Sequence, residues 1–220
     1  MGGYSEGIVV REEFVCKVPD GLDMAEAAPL LCAGITTYSP LKQWGVKAGD
    51  NVAVAGLGGL GHMAVKLATA MGAEVTVLTT SPGKADAARA IGAKDVLVSK
   101  DAGAMAAATG RFSLIIDTIP VEHDVQPYLA LLRPRGQLVV VGAIGPLPEL
   151  NTFNIVFGNK ALAGSQIGSI AETQEMLDFC AKHGVVPEIE VIAPADINKA
   201  WDTLSKGDSP GRFVIEMGRG

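Results

Sequence analysis

Asn51-Val52-Ala53-Val54-Ala55-Gly56-Leu57-Gly58-Gly59-Leu60-Gly61-His62-Met63-Ala64-Val65-Lys66-Leu67-Ala68-Thr69-Ala70-Met71-Gly72 is the stretch that decides the fold. A short apolar run predicts a buried strand, and the glycines a tight turn. Apolar residues at spacings of three and four then predict a helix that a glycine closes. A bare G-x-G-x-x-G is weak evidence, but between a strand and a helix it marks a phosphate-binding turn. Gly56 permits the sharp turn, Gly58 lets an anion approach the backbone, and Gly61 lets the helix pack against the strand. The helix N–H groups and its dipole then face the anion.

Outward from this unit, strand and helix alternate. Strands are expected at 52–55, 74–78, 95–98, 114–117, 137–142 and 161–165. Helices are expected at 60–71, 83–91, 102–109, 121–132 and 171–183. Repeated units of this length predict an α/β fold: a doubly wound parallel Rossmann sheet with helices on both faces. The flanks differ. Residues 1–32 read as strands at 4–9 and 15–18 and a helix starting near Asp23. Residues 188–216 read as a strand at 189–192, a helix at 195–206 and a strand at 212–216. Three segments follow: 1–32 and 188–220 as pieces of a second, mainly β domain, and 33–187 as the nucleotide-binding domain.

Composition agrees with this reading. The 220 residues are 48% apolar and 5% aromatic, as suits parallel strands covered on both faces. A net charge of −6 with scattered charges argues against nucleic-acid binding. No apolar stretch reaches membrane-spanning length. Three cysteines make no disulfide framework, and no signal peptide is evident, so a cytoplasmic location is expected.

The second strand of a dinucleotide site normally ends in a carboxylate that holds the ribose 2′-OH of NAD. Here it runs into Thr79-Thr80-Ser81-Pro82-Gly83-Lys84. Hydroxyls and a lysine suit a 2′-phosphate, which a carboxylate would repel, so NADP(H) is the expected cofactor. The same hydroxyls also suit capping of the next helix, and the two roles are compatible.

The stretch from Ala28-Pro29-Leu30-Leu31-Cys32-Ala33-Gly34-Ile35-Thr36-Thr37-Tyr38 to Ser39-Pro40-Leu41 completes the pattern. With the Gly56–Gly61 turn and Gly211-Arg212-Phe213-Val214-Ile215, it resembles the zinc-dependent alcohol dehydrogenases of the medium-chain dehydrogenase/reductase superfamily. The nearest likeness is to NADP-preferring aldehyde reductases of the cinnamyl alcohol dehydrogenase type. The resemblance covers essentially the whole chain.

It implies zinc-assisted, reversible hydride transfer between NADP(H) and a primary alcohol or aldehyde. Cys32 matches a ligand of the catalytic zinc, and Thr36 the catalytic-site residue packed against the nicotinamide. Gly56 to Gly61, with Leu57, Gly58, Gly59 and Leu60 at their centre, match the pyrophosphate turn. Thr79, Thr80, Ser81 and Lys84 match the 2′-phosphate pocket. Thr118 and Ile119, then Val141, Gly142 and Ala143, then Ser165, Gln166 and Ile167 match the loops bordering the cofactor. Arg212 matches a late arginine that reaches the phosphates. Lys160 to Ser165 matches the edge strand through which family members form homodimers; the second domain is GroES-like.

One departure matters. The family's other zinc ligands and its structural zinc lobe precede the region that matches Met1-Gly2-Gly3-Tyr4. The resemblance therefore implies a C-terminal, truncated portion. Such a portion is expected to bind NADP(H) in weakened form, with turnover absent or very low. A zinc site needs three protein ligands, and Cys32 alone does not make one. Cys180 and His183 have ligand-like spacing, but a histidine before Gly184 reads better as charge at a helix C-terminus. Cys16 is expected in a strand as buried packing, His62 to shape the turn, and His123 to be solvated near a helix start. Two alternatives stand beside the main reading: a zinc-free quinone oxidoreductase, against which the setting of Cys32 argues, and a non-catalytic NADP-binding module.

Overall fold

A computed structural model describes residues 3–142, 145–147, 149–206 and 211–217. By contact density the chain divides into two compact units, one of residues 36–168 and one of residues 1–35 with 169–220. The helix expected at 171–183 thus groups with the flanks.

The elements follow in chain order. They are α1 (Met24–Pro29), α2 (Ile35–Gln43), β1 (Asn51–Ala55), α3 (Gly59–Ala70), β2 (Glu74–Thr79), α4 (Ala85–Ala90), β3 (Asp95–Val98) and α5 (Ala102–Ala107). After these come β4 (Phe112–Asp117), α6 (Gln126–Leu131), β5 (Leu132–Val140), α7 (Phe153–Val156), β6 (Ala161–Gly164), α8 (Ile170–His183), β7 (Ile189–Ile192), α9 (Ile197–Lys206) and β8 (Arg212–Ile215).

In the 36–168 unit, six parallel strands run in the order β3-β2-β1-β4-β5-β6. This is the doubly wound arrangement, with its reversal of order between β1 and β4. β4 is buried along its whole length, and β1 and β2 are buried beyond their first residues. One core cluster joins Ala53, Leu78, Phe112, Ile115, Leu129 and Leu138, all nearly solvent-free. Parallel strands covered on both faces read as continuous apolar runs for this reason.

The other unit holds α1, a single π-helical turn at Leu30–Gly34, α8, α9 and a parallel pair, β7 with β8. Asp23 caps α1 through its carboxylate. Ser169 and Glu172 form a reciprocal capping box at the start of α8. Met176, Leu177 and Cys180 bury the inner face of that helix.

Three expectations are corrected. No strand forms at 4–9 or 15–18; the segment is irregular apart from a short 3₁₀ turn at Glu12–Phe14. A strand needs a partner edge, and here Ile8, Val9, Val10, Phe14 and Val15 are exposed. The Gln174 side chain accepts from the Lys17 N–H and donates to its carbonyl, in the place a neighbouring strand would take. Cys16 is therefore half-buried in irregular chain. The helix expected over 121–132 is confined to α6, because Asp124 takes the Gln126 N–H and His123 turns inward. The strand expected at 137–142 runs instead over 132–140, through a register irregularity opposite Phe112 and Leu114.

Candidate functional site

The carboxyl ends of the parallel strands meet along one edge of the sheet. Ala55 ends β1 between Leu78 of β2 and Asp117 of β4. Gly56 then takes φ +89° and donates its N–H to the Leu78 carbonyl at 3.0 Å. Gly58 stands as an extended N-cap with no side-chain cap for α3. The first N–H groups of α3 have no intrahelical acceptor, so they face outward with the positive end of the dipole. A Cβ on Gly58 would meet nothing within 4 Å, whereas one on Gly61 would overlap the Gly56 carbonyl, whose carbon would lie 2.9 Å away. The turn is therefore open on the side where an anion fits and closed where the helix meets the strand. Leu57, Gly59 and Leu60 complete it.

Beside the turn, β2 ends at Thr79. Its buried hydroxyl accepts the Ser81 N–H at 3.2 Å. Thr80, Ser81 and Lys84 are exposed. Neither the 3₁₀ turn Pro82–Lys84 nor α4 receives a side-chain cap, so Ser81 is not spent on capping.

Across the order reversal lie the loops after β4, β5 and β6. Thr118 is buried and donates its hydroxyl to the Ala55 carbonyl at 2.8 Å. Ile119 lies against the turn: a Cβ on Gly56 would come 2.9 Å from Thr118 Oγ1 and 3.2 Å from Ile119 Cγ1. The Val141 and Gly142 N–H groups both donate to the Asp117 carbonyl, at 2.9 and 3.2 Å. Ala143 lies outside the described residues. The Ser165 N–H donates to the Val140 carbonyl, Gln166 is exposed, and Ile167 is exposed with φ +51°. The loops carrying Gly56–Gly61, Thr118–Ile119, Val141–Gly142 and Ser165–Ile167 thus gather at one edge. Thr36 sits in the first turn of α2 and is buried.

The sequence reading missed one cluster here. Asp117 is fully buried, and His123, far from solvated, places Nε2 2.8 Å from Asp117 Oδ2. Its Nδ1 lies 2.8 Å from the Val121 carbonyl, so that nitrogen carries a hydrogen, and a further proton bridges Nε2 and Asp117 Oδ2. Asp117 Oδ1 accepts from the Ile119 N–H at 3.1 Å. Burial pushes the Asp117 carboxyl above its ordinary value, against the pull of the Ile119 N–H and of His123. Burial and the Asp117 charge raise the Tyr128 hydroxyl as well. The available signal was an acid closing an apolar strand, with a ring six residues on. That spacing alone does not say the two meet.

In the other unit, Cys32 lies in the π-helical turn with its side chain exposed. It lines a cavity of about 310 Å³ with Ala28, Pro29, Arg212 and Val214. Arg212 Nε is buried there without a hydrogen-bond partner among the described residues. Cys180 is buried against the Met176 sulfur, and burial pushes its thiol up to about 12. His183 is exposed and stacks on Phe179 ahead of the left-handed Gly184 cap, so the pair is not a metal site. Among the described residues no three His, Cys, Asp or Glu side chains come together as metal ligands. The described residues therefore do not by themselves complete a zinc site.

Residues 59–182 match the family model for zinc-binding dehydrogenases. The chain is 48% identical over 216 residues to a probable formaldehyde dehydrogenase of Bacillus subtilis (strain 168), covering 98% of this chain and 62% of that protein. It is 47% identical over 218 residues to an aldehyde reductase of Escherichia coli (strain K12), again covering 98% and 62%. Among solved structures, a CAD from Helicobacter pylori complexed with NADP(H) superposes with a TM-score of 0.88 at 44% identity. That match covers all of this chain and 63% of the other. The chain thus spans about three-fifths of the length of these relatives. By sequence and by fold, it belongs to the zinc-binding dehydrogenase family.

Proposed function

We propose that these residues form the NADP(H)-binding part of an oxidoreductase that interconverts alcohols and aldehydes. The observation that carries this is the juxtaposition of an open glycine turn with the carboxylate-free end of β2. The Gly56 N–H bonds to Leu78, one residue before Thr79. The α3 N-terminus at Gly58–Gly61 would take the pyrophosphate. Thr79, Thr80, Ser81 and Lys84 would take the 2′-phosphate. Thr118, Ile119, Val141, Gly142 and Ser165 to Ile167 would wall the nicotinamide half, since β4–β6 repeat the adenosine-binding half across the switch point. The relatives named for formaldehyde, aldehyde and CAD chemistry, and the NADP(H) bound to one of them, support this substrate class and cofactor. The cofactor, when bound, supplies the hydride; these residues bind and orient it.

Cys32 is the position the family pattern assigns to the metal, and the described residues do not complete its ligand set. Two further proposals accompany the main one. Homodimerisation would run through β6, an edge strand whose flanking Lys160 anchors on the Leu129 carbonyl. A reducing, cytoplasmic setting is supported by three free cysteines.

Calorimetric titration of the 220-residue chain tests the reading. NADPH is expected to bind at least about tenfold more tightly than NADH, the worth of one or two charge-assisted hydrogen bonds. Equal affinity for the two, or preference for NADH, would contradict it.

A further inference from the structure

The geometry points to His123 as a positioning residue for the cofactor: through Asp117 it locks the Thr118–Ile119 loop that walls the nicotinamide half of the crevice. The inference rests on the NADP(H) reading above. It comes from a convergence of bonds on one buried side chain. Asp117 Oδ1 holds the Ile119 N–H, Oδ2 meets His123 Nε2, and the Asp117 carbonyl takes the N–H groups of Val141 and Gly142. His123 closes the loop on itself by donating Nδ1–H to the Val121 carbonyl. The ring is only 16% exposed and lies against Tyr128, centroids 5.8 Å apart.

The locked loop has little freedom toward its neighbours. Thr118 Oγ1 and Ile119 Cγ1 stand where a Cβ on Gly56 would collide, and the Ile119 carbonyl blocks one on Gly142. A shift of residues 118–119 is therefore passed to the β5 loop, while the Gly56 N–H bond to the Leu78 carbonyl holds the pyrophosphate turn on β2. Without the ring, Asp117 Oδ2 would lose its bonded partner in a buried site, and the carboxylate would swing or recruit water. The Ile119 N–H anchor would loosen with it. His123 touches none of the reacting atoms; it acts through Asp117.

The test compares two ligands. NADPH spans both halves of the crevice, whereas adenosine 2′,5′-bisphosphate occupies only the β1–β2 half. For folded His123→Ala, NADPH binding is expected to weaken about tenfold, with the bisphosphate fragment unchanged. His123→Gln, which returns an N–H donor near the Nε2 position, is expected to restore most of the loss. His123→Asn, too short to reach Asp117, carries the same comparison if His123→Ala does not fold. Equal weakening of both ligands would mean general loosening and would overturn the proposal, as would unchanged NADPH affinity. Wild-type chain that binds neither ligand would instead overturn the cofactor reading on which it rests.

Discussion

Gly61 packs so closely on Gly56 that no side chain fits between them: an added Cβ would lie 2.9 Å from the Gly56 carbonyl carbon and 3.1 Å from Thr118 Oγ1. Gly58, two residues after Gly56, faces open space. The two glycines therefore predict opposite phenotypes. Gly61→Ala forces backbone apart in a packed layer and is expected to cost about 3 kcal/mol, near the upper end of overpacking costs. At this chain length that lowers Tm by roughly 6–12 °C. Gly58→Ala is expected to leave Tm within about 2 °C and to weaken NADPH binding, because the new methyl occupies the anion's approach. Thermal melts and titrations of the two variants check this.

The end of β2 predicts cofactor preference. Lys84 is exposed and Ser81 caps no helix, so neither change should disturb the fold. Lys84→Ala is expected to weaken NADPH about three- to tenfold and to leave NADH unchanged. Ser81→Asp is expected to invert the preference by repelling the 2′-phosphate. Parallel titrations with the two dinucleotides read both effects.

The cysteines predict a reactivity order. Cys180 is buried and its thiol is pushed up to about 12, while Cys32 is exposed. At pH 8 the native chain is expected to be alkylated at Cys32 and spared at Cys180, as peptide mass mapping would show. The folded pKa lies above that of the unfolded thiol, about 8.5, so folded chain keeps a proton that unfolded chain releases. Stability associated with Cys180 is complete below about pH 8.5 and declines as pH rises toward 12. A Cys180→Ala variant should show a shallower loss of Tm over that alkaline range.

Metal content gives a further prediction. Among the described residues Cys32 belongs to no group of three ligand-type side chains. Purified 220-residue chain is therefore expected to hold well under one zinc per chain after dialysis, and to show no NADPH-dependent reduction of cinnamaldehyde. Stoichiometric zinc by elemental analysis together with turnover would contradict this.

Much of the 36–168 unit was legible because its signals are local. Apolar runs such as Leu114–Ile116 and the helical spacing of α3 report burial directly, and Gly72, Gly92 and Gly184 take positive φ at helix ends. What was not legible depended on partners distant in sequence. The apolar residues near Val9 and Val15 look strand-like, but a strand forms only against an edge, and Gln174 occupies that role for Lys17. The π-helical turn around Cys32 and the continuation into α2, with Pro40 inside it, carry no periodic signature. His123 reads from sequence as solvated near a helix start because its partner is the buried end of a strand. Placement of the loops at a common edge emerged only with the sheet order.

In the proposed complex the glycine turn takes the pyrophosphate and the end of β2 takes the 2′-phosphate. Amide chemical-shift mapping on ¹⁵N-labelled chain, titrated with NADPH and separately with NADH, distinguishes the two sites. Shifts common to both ligands are expected at Leu57–Gly61, and shifts specific to NADPH at Thr80–Lys84. Shifts centred instead on residues 189–215, or no difference between the ligands at 80–84, would contradict it.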